Sequence, residues 1–504
     1  MSGYKGALIG AGAIVLLAGG LFGAGVLKVG GRSADPDHSD DADDEGGGKK
    51  QRRRKKGRSK KGGNLESLAY LGEIPMTDET RDKVGIQIDE ASAYPGMLLA
   101  NAAGGGNTRR RRGGRHIREA ALWDVHGKEV HRWHTDIPSK RRSWAITRLD
   151  DEGYLYVVIA DTAFLKLDWN SNVVWMVNGR FHHDFNVTND GGFAVLAERK
   201  HVVDLPPGTG DTSSDGVRML DHGVTFVNKE GDVTGQVWLY ESFKDHPVFQ
   251  SRLLRGIEAK RDRVLVEEGD AERGGGLDVF HANSIIVLPR DVEGLGETGD
   301  LLFSFRHMNT LASVSRETGE VLWSWGSEDL IRQHDATLTN DGQIVLFDNR
   351  TRSSNSRVLV VDPKTSTITR TIGGEGAQGA TRFFSMGRGL AQALPNDNVM
   401  VVVSNEGRTF EMTPAGDIVW EFWSPWIRPE ARLPFRAVRL QGTVQATMAK
   451  IAAGQMEPPR VPNDVAFKVS TADTNFVTDL EGGGSEMQDA QPPETTKKTP
   501  STVQ

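Results

Sequence analysis

Histidine is placed unevenly along this chain, in company that suggests chemistry on an anion. Four segments set imidazole beside other polar groups: Phe181-His182-His183-Asp184, Phe280-His281-Ala282-Asn283-Ser284, Ser304-Phe305-Arg306-His307 and Gln333-His334-Asp335. A single histidine of this kind usually hydrogen-bonds a backbone carbonyl, whereas a cluster of them can hold a metal. The chain has no HExxH motif, its carboxylates adjoin the histidines rather than standing at ligand spacing, and Arg306 adds a permanent cation. A fixed guanidinium disfavours a divalent cation and favours an oxyanion. Beside it, an imidazole can donate a hydrogen bond, take a proton or act as nucleophile. The residues predict an anion site with no metal and no cofactor.

Such residues act together only if the fold brings them together. Between about residue 85 and residue 440 one phrase recurs: a strand, a turn with Asp or Asn and Gly, then a strand ending on Trp. Its copies are ALWDVHGKEVHRW (121–133), FLKLDWNSNVVW (164–175), VTFVNKEGDVTGQVW (224–238), ASVSRETGEVLW (312–323) and FEMTPAGDIVW (410–420), with VLVVDPKTSTITRTI (358–372) lacking the Trp. A second strand with a similar turn precedes several copies, as in DDEGYLYVVIA (150–160) and NDGQIVLFD (340–348). Alternating apolar residues bounded by such turns are a hairpin signal, and six regular copies fit propeller blades better than a sandwich. The prediction is an all-β, six-bladed β-propeller over 85–479. Segment 241–280, rich in charge and glycine, reads as an inserted excursion over the channel. Three of the four histidine segments fall at the start of an inner strand, so they should converge at one mouth of the channel.

Composition agrees. With 504 residues the chain can bury a large core, and 59 glycines with 7% aromatics suit a turn-rich β protein. The absence of cysteine excludes disulfides, thiolate metal sites and a Cys nucleophile. A net charge of −7 argues against nucleic acid as a partner. The uncharged run from Gly6 to Leu27 is long enough to span a bilayer, so a transmembrane anchor or signal segment is expected over 6–27. A charged stalk over 31–64 and a tail over 480–504 have compositions that predict disorder. The ten positive charges between Lys49 and Lys61 would serve as a solvated spacer or meet an anionic lipid or polymer. They also complicate orientation, since positive-inside bias would leave the rest of the chain in the cytoplasm.

In order and spacing, several phrases resemble those of the bacterial arylsulfate sulfotransferases, six-bladed propellers of the cell envelope that use no nucleotide donor. They are HHDFNVTNDGGFAVLAE (182–198), FHANSIIVL (280–288), LLFSFRHMNTLASVSRETGEVLWSWG (301–326), QHDATLTNDGQIVLFDNRTRSSNSRVLVVD (333–362) and LAQALPNDNVMVVVSNEGRTFEMTPAGDIVWEF (390–422). The resemblance implies transfer of a sulfuryl group from a phenolic sulfate ester to a phenol. It implies His334 as the transiently sulfated nucleophile, with His183 (or its neighbour His182), His281 and Arg306 holding the group and Asn283 as a further donor. It implies small aryl sulfates and phenols as partners, and a membrane-tethered, extracytoplasmic (periplasmic) domain. Two departures stand out: an anchor and stalk replace the N-terminal β-domain of well-studied members, and no disulfide is possible. The competing reading is a non-catalytic, membrane-tethered propeller that binds or scaffolds. A quinoprotein-type dehydrogenase ranks lower, because those propellers usually have more blades, bound calcium and often vicinal cysteines.

Overall fold

A computed structural model describes residues 74–75 and 85–474, apart from 103–117, 136, 138–143, 204–215, 265–276, 378–380, 429–430, 433–434 and 463–465. Six antiparallel sheets form the blades of a β-propeller. Blade 1 joins Phe435–Arg439, from the far end of the ring, to Leu98–Ala102, Glu119–Trp123 and Glu129–His134. Blades 2 to 6 run in chain order from their inner strands, which are Trp144–Leu149, Phe181–Val187, Ala282–Val287, His334–Leu338 and Leu390–Ala393. Closure is double. Phe435–Arg439 pairs antiparallel with Leu98–Ala102, and the early strand Gly85–Ile88 pads the outer edge of blade 6. A further strand, Lys468–Thr471, lies parallel along the outer edge of blade 2.

The recurring phrase is the outer hairpin of each blade, and the register explains its chemistry. At the turn before the second strand of blade 2, Asp150 Oδ1 accepts the N–H groups of Glu152, Gly153 and Tyr154, while Gly153 takes φ +97°. A side-chain acceptor followed by a residue free to adopt positive φ is what such a turn needs. Beyond the outer turn, all six blades have a bulge in the strand pairing. In five of the six the side chain just after it reaches the outer turn of the following blade. Trp175 Nε1 donates to Lys229 O at 3.0 Å, Trp323 Nε1 to Ser366 Oγ at 3.0 Å, and Trp420 Nε1 to Val125 O at 2.9 Å.

In blade 5, which lacks the Trp, Arg370 occupies the same register and donates to Thr413 O at 2.8 Å. In blade 1 the position belongs to His131, whose Nε2 donates to Trp169 O at 2.8 Å, and Trp133 follows two residues later in the core. Gly235 holds the position in blade 3. The repeat therefore encodes a contact between blades, and any long donor satisfies it.

The excursion carries two helices, Tyr240–Phe243 and Pro247–Val264. Phe243 and Phe249 are buried against Phe280, with ring centroids 5.6 Å and 4.9 Å away, so the excursion fixes the backbone just before His281. The expected anchor (6–27), stalk (31–64) and tail (480–504) lie outside the described residues. Among the described residues no helix is long and apolar enough to cross a membrane.

Candidate active site

The histidine segments arrive where the repeat analysis places them. His182 and His183 lie on the inner strand of blade 3, His281 directly precedes that of blade 4, and His334 opens that of blade 5. Arg306 follows the second strand of blade 4. In these three consecutive blades a non-glycine residue near the start of the inner strand takes positive φ: His183 (52°), His281 (46°) and Asp335 (44°). Each costs about 1–3 kcal/mol and persists only where the surroundings enforce it, a pattern typical of functional sites.

His334 is buried, and its hydrogen bonds settle its tautomer. Nδ1 lies 2.7 Å from Asn349 Oδ1 and 3.2 Å from the carbonyl of Arg332. Asn349 Nδ2 donates to two carbonyls, Ser385 O at 2.6 Å and Arg388 O at 2.9 Å, so its oxygen faces His334. Both neighbours of Nδ1 are acceptors; Nδ1 carries the proton and Nε2 keeps its lone pair. Burial, and then the charge of Arg306, hold the His334 pKa well below the ordinary histidine value, with Arg436 and His281 adding to the effect. A neutral imidazole with Nε2 bare is the form a nucleophile requires.

Asp278 organises the other side of the mouth. It lies 2.5 Å from His281 Nδ1 through Oδ2 and 3.1 Å from His222 Nε2 through Oδ1, while its carbonyl accepts from His307 Nδ1 at 2.6 Å. Burial alone would raise its pKa; electrostatic attraction to the His281 and His307 rings and the bonds from His222 and His281 outweigh that and hold it well below the usual carboxylate range. His281 therefore spends its Nδ1 proton on Asp278 and keeps Nε2 as an acceptor. His307 Nε2 lies 2.9 Å from Arg306 Nη1, which fixes the guanidinium. The rings of His183 and His281 are 4.9 Å apart, and His182 Nδ1 is 3.0 Å from His183 Nδ1. Asn283 sits beneath this group: its Nδ2 donates to Gln333 O at 2.7 Å, bracing the backbone just before His334.

Two guanidinium groups that the sequence analysis passes over complete the set. Arg436, on the closing strand, donates to His183 O at 2.7 Å and lies 3.1 Å from Asp335 Oδ2. Arg388 sits just before the inner strand of blade 6, and burial lowers its pKa to about 10, which leaves it charged at neutral pH. Arg436 follows no repeat phrase. The signal that points to it is indirect: the first outer hairpin has too few strands before it, so an inner strand must come from the far end. Asp278 and His222 are equally hidden, one in the charged excursion and the other in a strand that reads as core.

A cavity of about 290 Å³ is lined by Asp335, Asp184 and Arg148, together with Gln392 and Arg439. His183, His281 and His334 do not line it. Burial raises the Asp335 pKa to about 7, with Arg436 opposing and Asp184 adding to the rise. The folded protein thus retains a proton where the unfolded chain (ordinary value 3.8) has lost it. This contribution to stability is present at acid pH and is lost as pH rises toward 7. Asp335→Asn should remove the loss. Thermal midpoints measured at about pH 5 and about pH 8 should fall less on alkalinisation in the variant than in the wild type.

The family model of the arylsulfotransferases (ASST) matches residues 146–425, from the inner strand of blade 2 to just past the outer strand of blade 6. No curated protein sequence matches the chain. Solved structures with a similar fold include a protein of unknown function from Bacteroides caccae, 10% identical over 69% of this chain and 100% of its own (TM-score 0.43). A functionally unknown protein from Desulfotomaculum acetoxidans is 7% identical over 68% of this chain and 99% of its own (TM-score 0.37). Virginiamycin B lyase from Staphylococcus aureus is 8% identical over 71% of this chain and 88% of its own (TM-score 0.36). Likenesses of this order bear on neither the number of blades nor the chemistry.

Proposed function

The chain belongs to the arylsulfotransferase family, and we propose that it moves a sulfuryl group from an aryl sulfate ester to a phenol through a covalent intermediate on His334. The observation that carries the reading is the fixed tautomer of His334, with Nδ1–H held by Asn349 and Nε2 bare among cationic groups. Sulfuryl transfer, like phosphoryl transfer, passes through a loose in-line transition state with charge on the peripheral oxygens. It calls for positioning and fixed positive donors.

In the first step Nε2 of His334 bonds to sulfur as the bond from sulfur to the phenolate oxygen breaks. The ring gains positive charge, which the bond from Nδ1–H to Asn349 stabilises. Arg306, held by His307, stays charged in both half-reactions and supports the sulfuryl oxygens together with His183. In the second step an acceptor phenol, with a pKa of about 10, gives its proton to Nε2 of His281 while its oxygen attacks sulfur. The nitrogen–sulfur bond breaks and His334 returns to its neutral state. Asp278 orients His281 and stabilises the imidazolium, as the carboxylate of a triad does. The proton gained by His281 is available to the next leaving phenolate.

The test uses full-length protein and 4-nitrophenyl sulfate. Without an acceptor, one equivalent of nitrophenol should appear in a burst, and the peptide containing His334 should gain the mass of a sulfuryl group. Adding phenol should give steady turnover. Steady transfer with no burst and no sulfated peptide would eliminate the covalent route. No release from any aryl sulfate would favour the non-catalytic propeller. Asn349→Ala should lower kcat by roughly 10²-fold or more with little change in KM, because either tautomer of His334 then becomes accessible; steady-state kinetics check this.

A further inference from the structure

Blade 3 differs from its neighbours in the length of two strands. Phe193–Val203 and Val217–Val227 each run for 11 residues, against 5 or 6 for the corresponding strands of blade 4 and blade 5. On them Glu198 and His222 stand directly opposite one another in register, beside His182 of the inner strand. One donor atom from each of His182, Glu198 and His222 lies within 4.8 Å of the others.

We infer that His182, Glu198 and His222 form a site for one Zn²⁺ ion, set behind the anion-binding histidines. Two observations carry this beyond proximity. First, His182 Nε2 and His222 Nδ1 are buried nitrogens without a hydrogen-bond partner among the described residues, in side chains only 4% and 2% exposed. A buried polar atom left unpaired costs about 1–3 kcal/mol, so two facing one carboxylate call for a ligand. Second, the opposite nitrogen of each ring is already engaged. His222 Nε2 gives its proton to Asp278 Oδ1 at 3.1 Å, which leaves Nδ1 as a bare donor. The contact between His182 Nδ1 and His183 Nδ1, at 3.0 Å, uses one proton; placed on His182, it leaves Nε2 bare.

A ligating histidine whose second nitrogen is held by a carboxylate or other acceptor is the usual outer-shell arrangement of zinc sites. Arg180 Nη2 binds Glu198 Oε1 at 2.5 Å and leaves the second carboxylate oxygen for the ion. Two imidazoles and a carboxylate are a set that zinc accepts, with solvent in the fourth position. Tetrahedral zinc with bonds of ~2.0–2.1 Å needs donors roughly 3.4 Å apart, so donor atoms that lie within 4.8 Å of one another need close by no more than roughly 1.4 Å. The neighbouring group Asp278, His281 and His307 has similar spacing but no bare nitrogen toward the carboxylate, since His281 Nδ1 and His307 Nδ1 are both spent as donors. His182, Glu198 and His222 are therefore positioning residues: the ion would fix His182, and through it the ring of His183.

The test is metal uptake, which does not depend on sulfuryl transfer. Full-length protein stripped with a chelator should bind one equivalent of Zn²⁺ by calorimetry. With Co²⁺ it should give the visible absorption of a tetrahedral nitrogen–oxygen site. Glu198→Gln and His222→Gln should weaken uptake at least 100-fold, and His307→Gln should retain it. The Co²⁺ spectrum of the wild type reports the ligand set even if a variant fails to fold. Absence of stoichiometric uptake by the wild type, or uptake unchanged in folded Glu198→Gln and His222→Gln, would overturn the inference.

Discussion

His334→Ala should abolish sulfuryl transfer, lowering kcat at least ~10⁴-fold while the ring of blades stays folded. The size of the effect follows from what the side chain does. On the proposed two-step route, losing the His334 imidazole removes both steps, and the guanidinium groups left behind can only bind the donor. Residual release should therefore show no burst and no dependence on the acceptor phenol. Added imidazole should restore part of the activity, because it supplies the missing nitrogen to a site otherwise intact. Wild-type rates of nitrophenol release in His334→Ala would sink the assignment. Measuring the circular dichroism spectrum of the variant separates loss of chemistry from loss of fold.

The second large effect concerns the ring itself. Glu411→Ala should destabilise the protein by about 3–5 kcal/mol, the cost of stripping a partner from a buried ion pair. Glu411 and Arg439 have fully buried side chains and meet at 3.0 Å. Glu411 also accepts the N–H of Tyr94 at 2.7 Å and the amide of Asn398 at 2.7 Å, while Arg439 donates to Gly96 O at 2.5 Å and lies 3.9 Å above the ring of Trp420. One carboxylate thus joins blade 6, the segment entering blade 1 and the closing strand. Burial lowers the Arg439 pKa to about 10 against the pull of Glu411; because a guanidinium keeps its proton in proteins, Glu411→Ala leaves a cation buried without its carboxylate. Glu411→Gln keeps the acceptor oxygen and should lose less. Denaturant midpoints of the three proteins check the order, and an unchanged midpoint in Glu411→Ala would show that the pair contributes nothing net.

What the sequence discloses here is local. The outer hairpins are legible because alternation and Asp/Asn-Gly turns write strand, turn and strand into a dozen residues. The Trp at their ends is only partly legible. His131 and Arg370 make the same bond to the next blade in other chemical dress, and Trp133 and Trp238 fall outside that register. His183, His281 and His334 stand out because each opens an inner strand. Arg436 does not, because its place is decided by a strand pairing between residues 435–439 and 98–102 that no local pattern records. The helix Pro247–Val264 is hidden in the same way, since the charge and glycine of 241–280 mark only an inserted excursion and the contact of Phe249 with Phe280 shows what it does.

The origin of Arg436 has a consequence for how the protein is made. Every other side chain of the site emerges from the ribosome before residue 400; Arg436 follows, on the strand that locks the ring. Until that strand is made, Arg436 cannot fasten His183 O or lie against Asp335. Premature stops and proteolytic losses before that strand should yield inert fragments. Assembly of the mouth is thereby made conditional on the strand Phe435–Arg439, the last of its elements to be synthesised.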